Sequence, residues 1–256
     1  MRFASLGSGS RGNALLVEAG STRILIDCGF GPRETLARLA RLGVQAETLA
    51  GILITHEHSD HLSSGALALA RRHELRLWMT HGTRMACSDA GAPPARCELI
   101  DSHQSFEIGD LLVQPFPVPH DAREPVQFLL SDGARQLGVL TDLGCSTPHV
   151  EQVLDGCQAL VLECNHDADM LRDGNYPRHL KLRIASRLGH LDNAAAAALL
   201  AVLDRRRLQH VIAAHLSQQN NTQRLARQAL AAVLGCAEEW VGVADQEAGF
   251  DWRAIL

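Results

Sequence analysis

Aromatic side chains are scarce in this chain, at 4% of its 256 residues. Extended base-stacking platforms need them, so a processive grip on a long single strand is not expected, whereas trimming from an end is compatible. A basic field is also lacking, since the formal net charge is −5. That removes any global attraction to nucleic acid or to a membrane surface. Bound divalent cations would nevertheless add positive charge at one place. No long hydrophobic run exists: the longest, residues 194–203, is too short to span a bilayer. The opening residues 1–7 contain no hydrophobic signal region, and no membrane association is expected. Cys-x-x-Cys is absent. The seven cysteines, an odd number, read as small core residues of a reducing cytoplasm and not as a disulfide frame. Repeats, low-complexity segments and a convincing linker are missing too, so residues 1–256 are expected to form one α/β domain. Nothing in the sequence specifies an oligomeric state.

What the chain does have is 46% apolar residues, enough for a sizeable core, and one dense polar stretch. Thr55-His56-Glu57-His58-Ser59-Asp60-His61 places three histidines and two acids within seven residues. It follows residues 49–54, which read as a short buried strand. His56 and His58 alternate as on an extended backbone and so point the same way. Imidazole nitrogen and carboxylate oxygen are the donors that Zn²⁺ and its transition-series neighbours bind.

Around this stretch, strands are expected at 2–6, 13–18, 22–28, 75–80, 98–100, 111–118, 126–130, 136–140, 159–163 and 208–214. Helices are expected from Pro32 to Gly43 and over 63–73, 83–90, 147–155, 180–188, 193–206 and 222–234. Pro93 and Pro94 mark a loop, Ser131-Asp132-Gly133 a hairpin, and 165–179 a polar stretch. The Gly-rich turn at 7–12 opens no helix and is no dinucleotide fingerprint. It either offers backbone N–H groups with Ser8, Ser10 and Asn13 to an anion, or is simply a hairpin turn.

Further candidate ligands sit where strands end. His120 follows the strand at 111–118, Asp142 the one ending at Leu140, and His215 the one ending at Ala214. With the loop they supply five imidazoles and two carboxylates. One metal takes three or four protein ligands, so seven imply two ions sharing one, and Asp142 with its two oxygens is the natural bridge.

His56-x-His58-x-Asp60-His61 followed by His120, Asp142 and His215 resembles the metallo-β-lactamase superfamily over nearly the whole chain. The resemblance implies a four-layer αββα sandwich with the site along one edge of two sheets. It implies that His56, His58 and His120 hold one metal and Asp60, His61 and His215 the other, with Asp142 and a hydroxide between them. Asp27 would support the loop without ligating. Gly189-His190-Leu191 before an alanine-rich helix is similar to the tRNA 3′-processing and phosphodiesterase branch, where such a histidine pairs with a glutamate. Glu163 stands at the corresponding place. Residues 6–13, 163–167, 189–191 and His215-Leu216-Ser217-x-x-Asn220-Asn221, as a set, resemble the YycJ/WalJ-type hydrolases, regarded as cytoplasmic DNA exonucleases. Those relatives commonly carry Ser-Asn where this chain has Asp192-Asn193.

The implied function is a phosphodiester hydrolase that depends on two divalent ions, Zn²⁺ or Mn²⁺, and takes nucleic acid, DNA over RNA, as substrate. Asp60 orients the hydroxide, and His190, held by Glu163, protonates the leaving oxygen. His166, Asp167, Ser217, Asn220 and Asn221 are candidate substrate contacts, each equally readable as a turn or cap residue. Arg178, Lys181, Arg183 and Arg187 either track a nucleic-acid backbone or form a solvated helix face, the second being slightly preferred. The rivals are a phosphodiesterase of small cyclic phosphates, an acyl hydrolase of the same fold, and a metal-binding protein without catalysis.

Overall fold

Apolar residues buried on both faces of the first three strands build an antiparallel meander, which parallel crossovers then extend. β1 (Arg2–Gly7), β2 (Ala14–Ala19) and β3 (Thr22–Ile26) pair antiparallel. β4 (Gly51–Leu53), β5 (Arg76–Met79) and β6 (Cys97–Leu99) continue the sheet in parallel. The crossovers are α1 (Pro32–Arg41), α2 (Ser64–Arg72) and α3 (His81–Asp89). A second sheet begins with β7 (Phe106–Ile108), β8 (Leu111–Pro117), β9 (Val126–Ser131) and β10 (Gln136–Leu140), all antiparallel. It continues in parallel through β11 (Ala159–Glu163), β12 (His210–Ala214) and β13 (Gly242–Val243). Its helices are α4 (Pro148–Leu154), α5 (Ala168–Asp173), α6 (Arg178–Ile184), α7 (Asn193–Val202) and α8 (Gln223–Leu234). β14 (Phe250–Ala254) returns to pair with β1 and closes the first sheet. This computed structural model describes residues 1–89 and 96–256. The expected helix end at Ala90 and the Pro93-Pro94 loop lie outside the described residues.

Three apolar clusters define the layers. One, with Phe3, Ile24, Phe128, Val161 and Ile212, fills the space between the two sheets. A second packs α1 and α2 against the outer face of the first sheet through Leu39, Ala66 and Leu69. A third packs α4, α7 and α8 against the second sheet through Leu154, Leu199 and Leu230. The result is the four-layer αββα sandwich that the resemblance implied. Among the described residues, no helix is long and apolar enough to cross a membrane.

Register determines what the sandwich presents. Leu140 lies opposite Leu162, and Glu163 opposite Ala214, so β10, β11 and β12 end side by side. Ligands in open α/β sheets gather beyond the carboxyl ends of parallel strands. Asp142, Glu163 and His215 occupy that position in the second sheet, and the loop after Leu53 faces them from the first.

The structure departs from the expected elements at several points. β7, β13, β14 and α5 were not expected. β13 has only two residues, and β14 finds its partner some 250 positions back, at Arg2 opposite Ala254, so neither carries a local signal. The helix expected over 193–206 stops at Val202, because Leu203 is extended and Asp204 accepts the backbone N–H of Arg206. That over 180–188 lies at 178–184, since 185–190 forms turns in which Gly189 N–H donates to Ser186 O and His190 N–H to Ile184 O. His56 and His58 lie in a loop and not on a strand, since β4 ends at Leu53.

Candidate metal centre

The loop at 54–63 is fastened at both ends. Ser63 caps α2 by accepting from Ala66 N–H. Cys28 N–H donates to His61 O and Asn13 N–H to Asp60 O, each at 2.7 Å. The segment after β3 presses against it so closely that a Cβ on Gly29 would stand 1.9 Å from Asp60 O. Asp27, at φ 61°, turns its carboxylate under the loop, where it accepts Thr55 N–H at 2.8 Å and faces His61 Nδ1 at 2.8 Å. A non-glycine residue in the left-handed region costs about 1–3 kcal/mol and persists only when its surroundings fix it. His215 adopts the same conformation, at φ 53°.

All seven expected ligands converge. His56 Nε2 lies 2.9 Å from His58 Nδ1, which is 3.3 Å from His120 Nε2. Asp60 Oδ2 lies 3.5 Å from His61 Nε2 and 3.3 Å from His215 Nε2. Asp142 stands between these triads, with Oδ1 3.6 Å from His120 Nε2 and Oδ2 3.0 Å from His61 Nε2. Each triad offers ligand atoms mutually within 4.8 Å.

The back of four of the five rings is also fixed. Nδ1 of His56 faces Thr55 Oγ1 at 3.0 Å, and Nδ1 of His120 faces Gly189 O at 3.0 Å. Nδ1 of His61 faces Asp27, and Nδ1 of His215 faces Glu163 Oε1 at 3.2 Å. Such outer contacts set the tautomer that leaves Nε2 free to bind a metal. Asp142 supplies the test of whether a cation fits. Its Oδ2 is buried, faces His61 Nε2 at 3.0 Å and accepts no other hydrogen bond. Two acceptor lone pairs that converge in a buried site suit a cation.

Electrostatics agree. Burial opposes the Asp142 charge, but the His215 and His61 charges outweigh it and hold the carboxyl well below its usual range. Burial likewise opposes a charged His215, yet Asp142, Asp60 and Glu163 push it up to about 10. His61 is raised in the same way, against burial, by Asp142, Asp60 and Asp27. Both shifts favour the protonated rings in the metal-free chain, and a cation competes with those protons. Loading at pH 7 should release protons, and apparent affinity should fall as pH drops from 8 to 5. Calorimetric titration in two buffers of different ionisation enthalpy measures this; identical heats and a flat pH profile would refute it.

Glu163 and His190 sit beside the triads. His190 Nδ1 is 2.7 Å from Glu163 Oε1, and its ring is one wall of an open cleft of about 390 Å³. Burial lowers the His190 pKa, but Glu163 and Asp142 outweigh it and leave it raised. Asp142, Glu163, His190 and His215 are close enough to hold an ion themselves. Against that, Glu163 Oε1 already meets His190 and His215, and Oε2 accepts Leu143 N–H at 2.8 Å and Leu191 N–H at 3.1 Å. Ligation would break contacts at a fully buried carboxylate, so the pair is better matched to positioning a proton.

Of the eight expected substrate contacts, only Ser10 lines this cleft. Ser8 Oγ donates to Asn13 Oδ1 and accepts His215 N–H, both at 2.9 Å. Asp167 caps α5, and Ser217 Oγ accepts Asn220 N–H. Asn221 joins Asn193 and Cys164 O, Asn220 O accepts Asp167 N–H, and His166 is buried against Asn165. These seven frame the site from behind. Asp192 accepts Ala195 N–H as the N-cap of α7, a task Ser performs equally, which accounts for the Ser-to-Asp difference from the resembled pattern. Thr55 and Asp121 were missed by sequence reasoning, although each adjoins a motif histidine. Asp121 lines the cleft and pairs with Arg183.

Two sheets whose strand ends enclose clustered histidines and carboxylates define a metal-binding protein of the metallo-β-lactamase fold. The chain belongs to the beta-lactamase superfamily, whose domain model matches residues 22–215. It is 36% identical over 236 residues to exodeoxyribonuclease YycJ of Bacillus anthracis, covering 91% of this chain and 89% of that protein. It is 30% identical over 246 residues to exodeoxyribonuclease WalJ of Streptococcus pneumoniae, covering 94% and 91%. The fold matches the metallo-beta-lactamase fold protein YhfI from Bacillus subtilis, with a TM-score of 0.75, 16% identity and 98% of each chain covered. The family and these clusters together point to divalent-metal binding.

Proposed function

We propose that the protein is a metal-dependent exodeoxyribonuclease with two divalent ions, Zn²⁺ or Mn²⁺. His56, His58 and His120 would hold one, Asp60, His61 and His215 the other, and Asp142 both. The observation that carries the reading is the Glu163–His190 pair beside the triads, with the His190 ring on the cleft. A departing nucleoside alkoxide needs a proton, whereas opening a β-lactam or thioester needs no such dyad. The names of the two relatives support DNA as the substrate.

Divalent ions in such a site supply a hydroxide nucleophile at neutral pH and neutralise charge on phosphoryl oxygens. The protein's own groups do the rest. Asp60 is kept ionised against burial by His61 and His215, and so can accept a hydrogen bond from the nucleophile and orient it. Glu163, also ionised because His190 and His215 outweigh burial, keeps Nδ1 of His190 protonated. The opposite ring nitrogen delivers a proton to the leaving 3′- or 5′-oxygen.

The reading takes residues 1–256 as one domain, supported by an inter-sheet cluster that runs from Phe3 to Ile255. It places the enzyme in the cytoplasm, which its seven free cysteines support. End-labelled DNA and RNA incubated with Zn²⁺ or Mn²⁺ provide the test. Progressive shortening of DNA that chelation abolishes is expected. Turnover of a cyclic phosphate with no shortening would replace the reading by a small-molecule phosphodiesterase.

A further inference from the structure

α6 is out of character with the rest of the fold. Its seven residues include Leu180, Leu182 and Ile184, yet none of its residues is buried. It therefore adds nothing to either outer core. Leu180 and Ile184, four positions apart and so on one helical face, line the cleft together with Tyr176, the only tyrosine of the chain. The same cleft is lined by His58, Asp60, Asp142, His190 and His215. Arg183 reaches in at the end of this wall and pairs with Asp121, next to the ligand His120. An apolar patch with a guanidinium beside it, in one cleft with the hydrolytic centre, matches a nucleotide: base on the patch, phosphate toward the arginine and the centre. A cleft of about 390 Å³ has room for one such unit and not for a duplex.

Resting on the reading above, we infer that Tyr176, Leu180 and Ile184 form a stacking subsite for the base of one unpaired terminal nucleotide, with Arg183 toward its phosphate. The enzyme must then fray a duplex end by one pair at each cycle. A scarcity of aromatics is no obstacle, because one stacked base needs one ring.

The test pairs Tyr176→Ala with removal of the base. Three proteins, wild type, Tyr176→Ala and Tyr176→Phe, act on end-labelled oligonucleotides whose terminal nucleotide is either normal or abasic. Stacking against an aromatic ring is worth roughly ten- to hundredfold in affinity per base. On normal ends Tyr176→Ala should raise KM by about that factor, with kcat reduced far less, and Tyr176→Phe should restore it. On abasic ends wild type should show the same rise in KM, and Tyr176→Ala should add little to it. An equal loss on both substrates, or no loss on either, would overturn the subsite. Failure of the wild type to shorten any oligonucleotide would instead overturn the exonuclease reading.

Discussion

Replacing Asp142 with alanine should abolish hydrolysis of end-labelled DNA and lower metal content together. The carboxylate has one oxygen 3.6 Å from His120 and the other 3.0 Å from His61, so it faces both triads at the atoms they turn toward each other. On the proposed assignment its removal takes away a ligand oxygen from each side, together with the negative charge that His61 and His215 face in a buried site. Even partners that merely orient ligands change metal affinity or activity by about 10–100-fold, so the loss here should exceed a hundredfold. Elemental analysis of the purified variant beside turnover of labelled DNA decides the matter. Full metal occupancy with activity within tenfold of wild type would remove Asp142 from the bridging position.

His190→Ala should separate proton delivery from metal binding. The expected loss on DNA is about 10²–10⁴-fold in kcat, the range over which a positioned general acid acts. Metal content should stay at the wild-type level, because Glu163 retains His215 and the two backbone N–H groups that hold it. On bis-p-nitrophenyl phosphate the loss should shrink by at least tenfold, since nitrophenolate departs without a proton and the acid is no longer needed. An equal loss on both substrates would assign His190 to positioning. Unchanged DNA turnover at full metal content would leave the pair as a structural hydrogen bond.

The seven converging side chains were legible because their pattern is local: an apolar strand running into a polar residue, four times over. Asp142 after Leu140 and His215 after Ala214 needed only the rule that strand ends present function. Glu163 and His190 were legible through resemblance, since no periodicity links residues 27 apart. The substrate contacts were not legible. Ser8, Asn13, Asp167, Ser217, Asn220 and Asn221 are the residue types that bind phosphate oxygens, and equally those that cap helices and close turns. The folded chain spends them on the second task. The left-handed backbone at Asp27 and His215 is likewise invisible in sequence, because it is imposed by distant contacts. The α6 wall escaped for a related reason: a helical pattern over 180–188 does not say what its leucines pack on, and only the fold shows that they meet no core.

Each triad draws from both sheets: His56 and His58 join His120, and Asp60 and His61 join His215. The centre is therefore a clasp across the mid-plane of the sandwich. Neither of the two triads is complete within one half of the polypeptide, so capture of an ion by a triad reports that the halves have docked in register. Produced as two fragments divided in the connection between the sheets, the molecule should reassemble more tightly with cation present, and chelator should loosen the pair. Chemistry and quaternary-like association of the two sheets would then draw on one and the same binding energy.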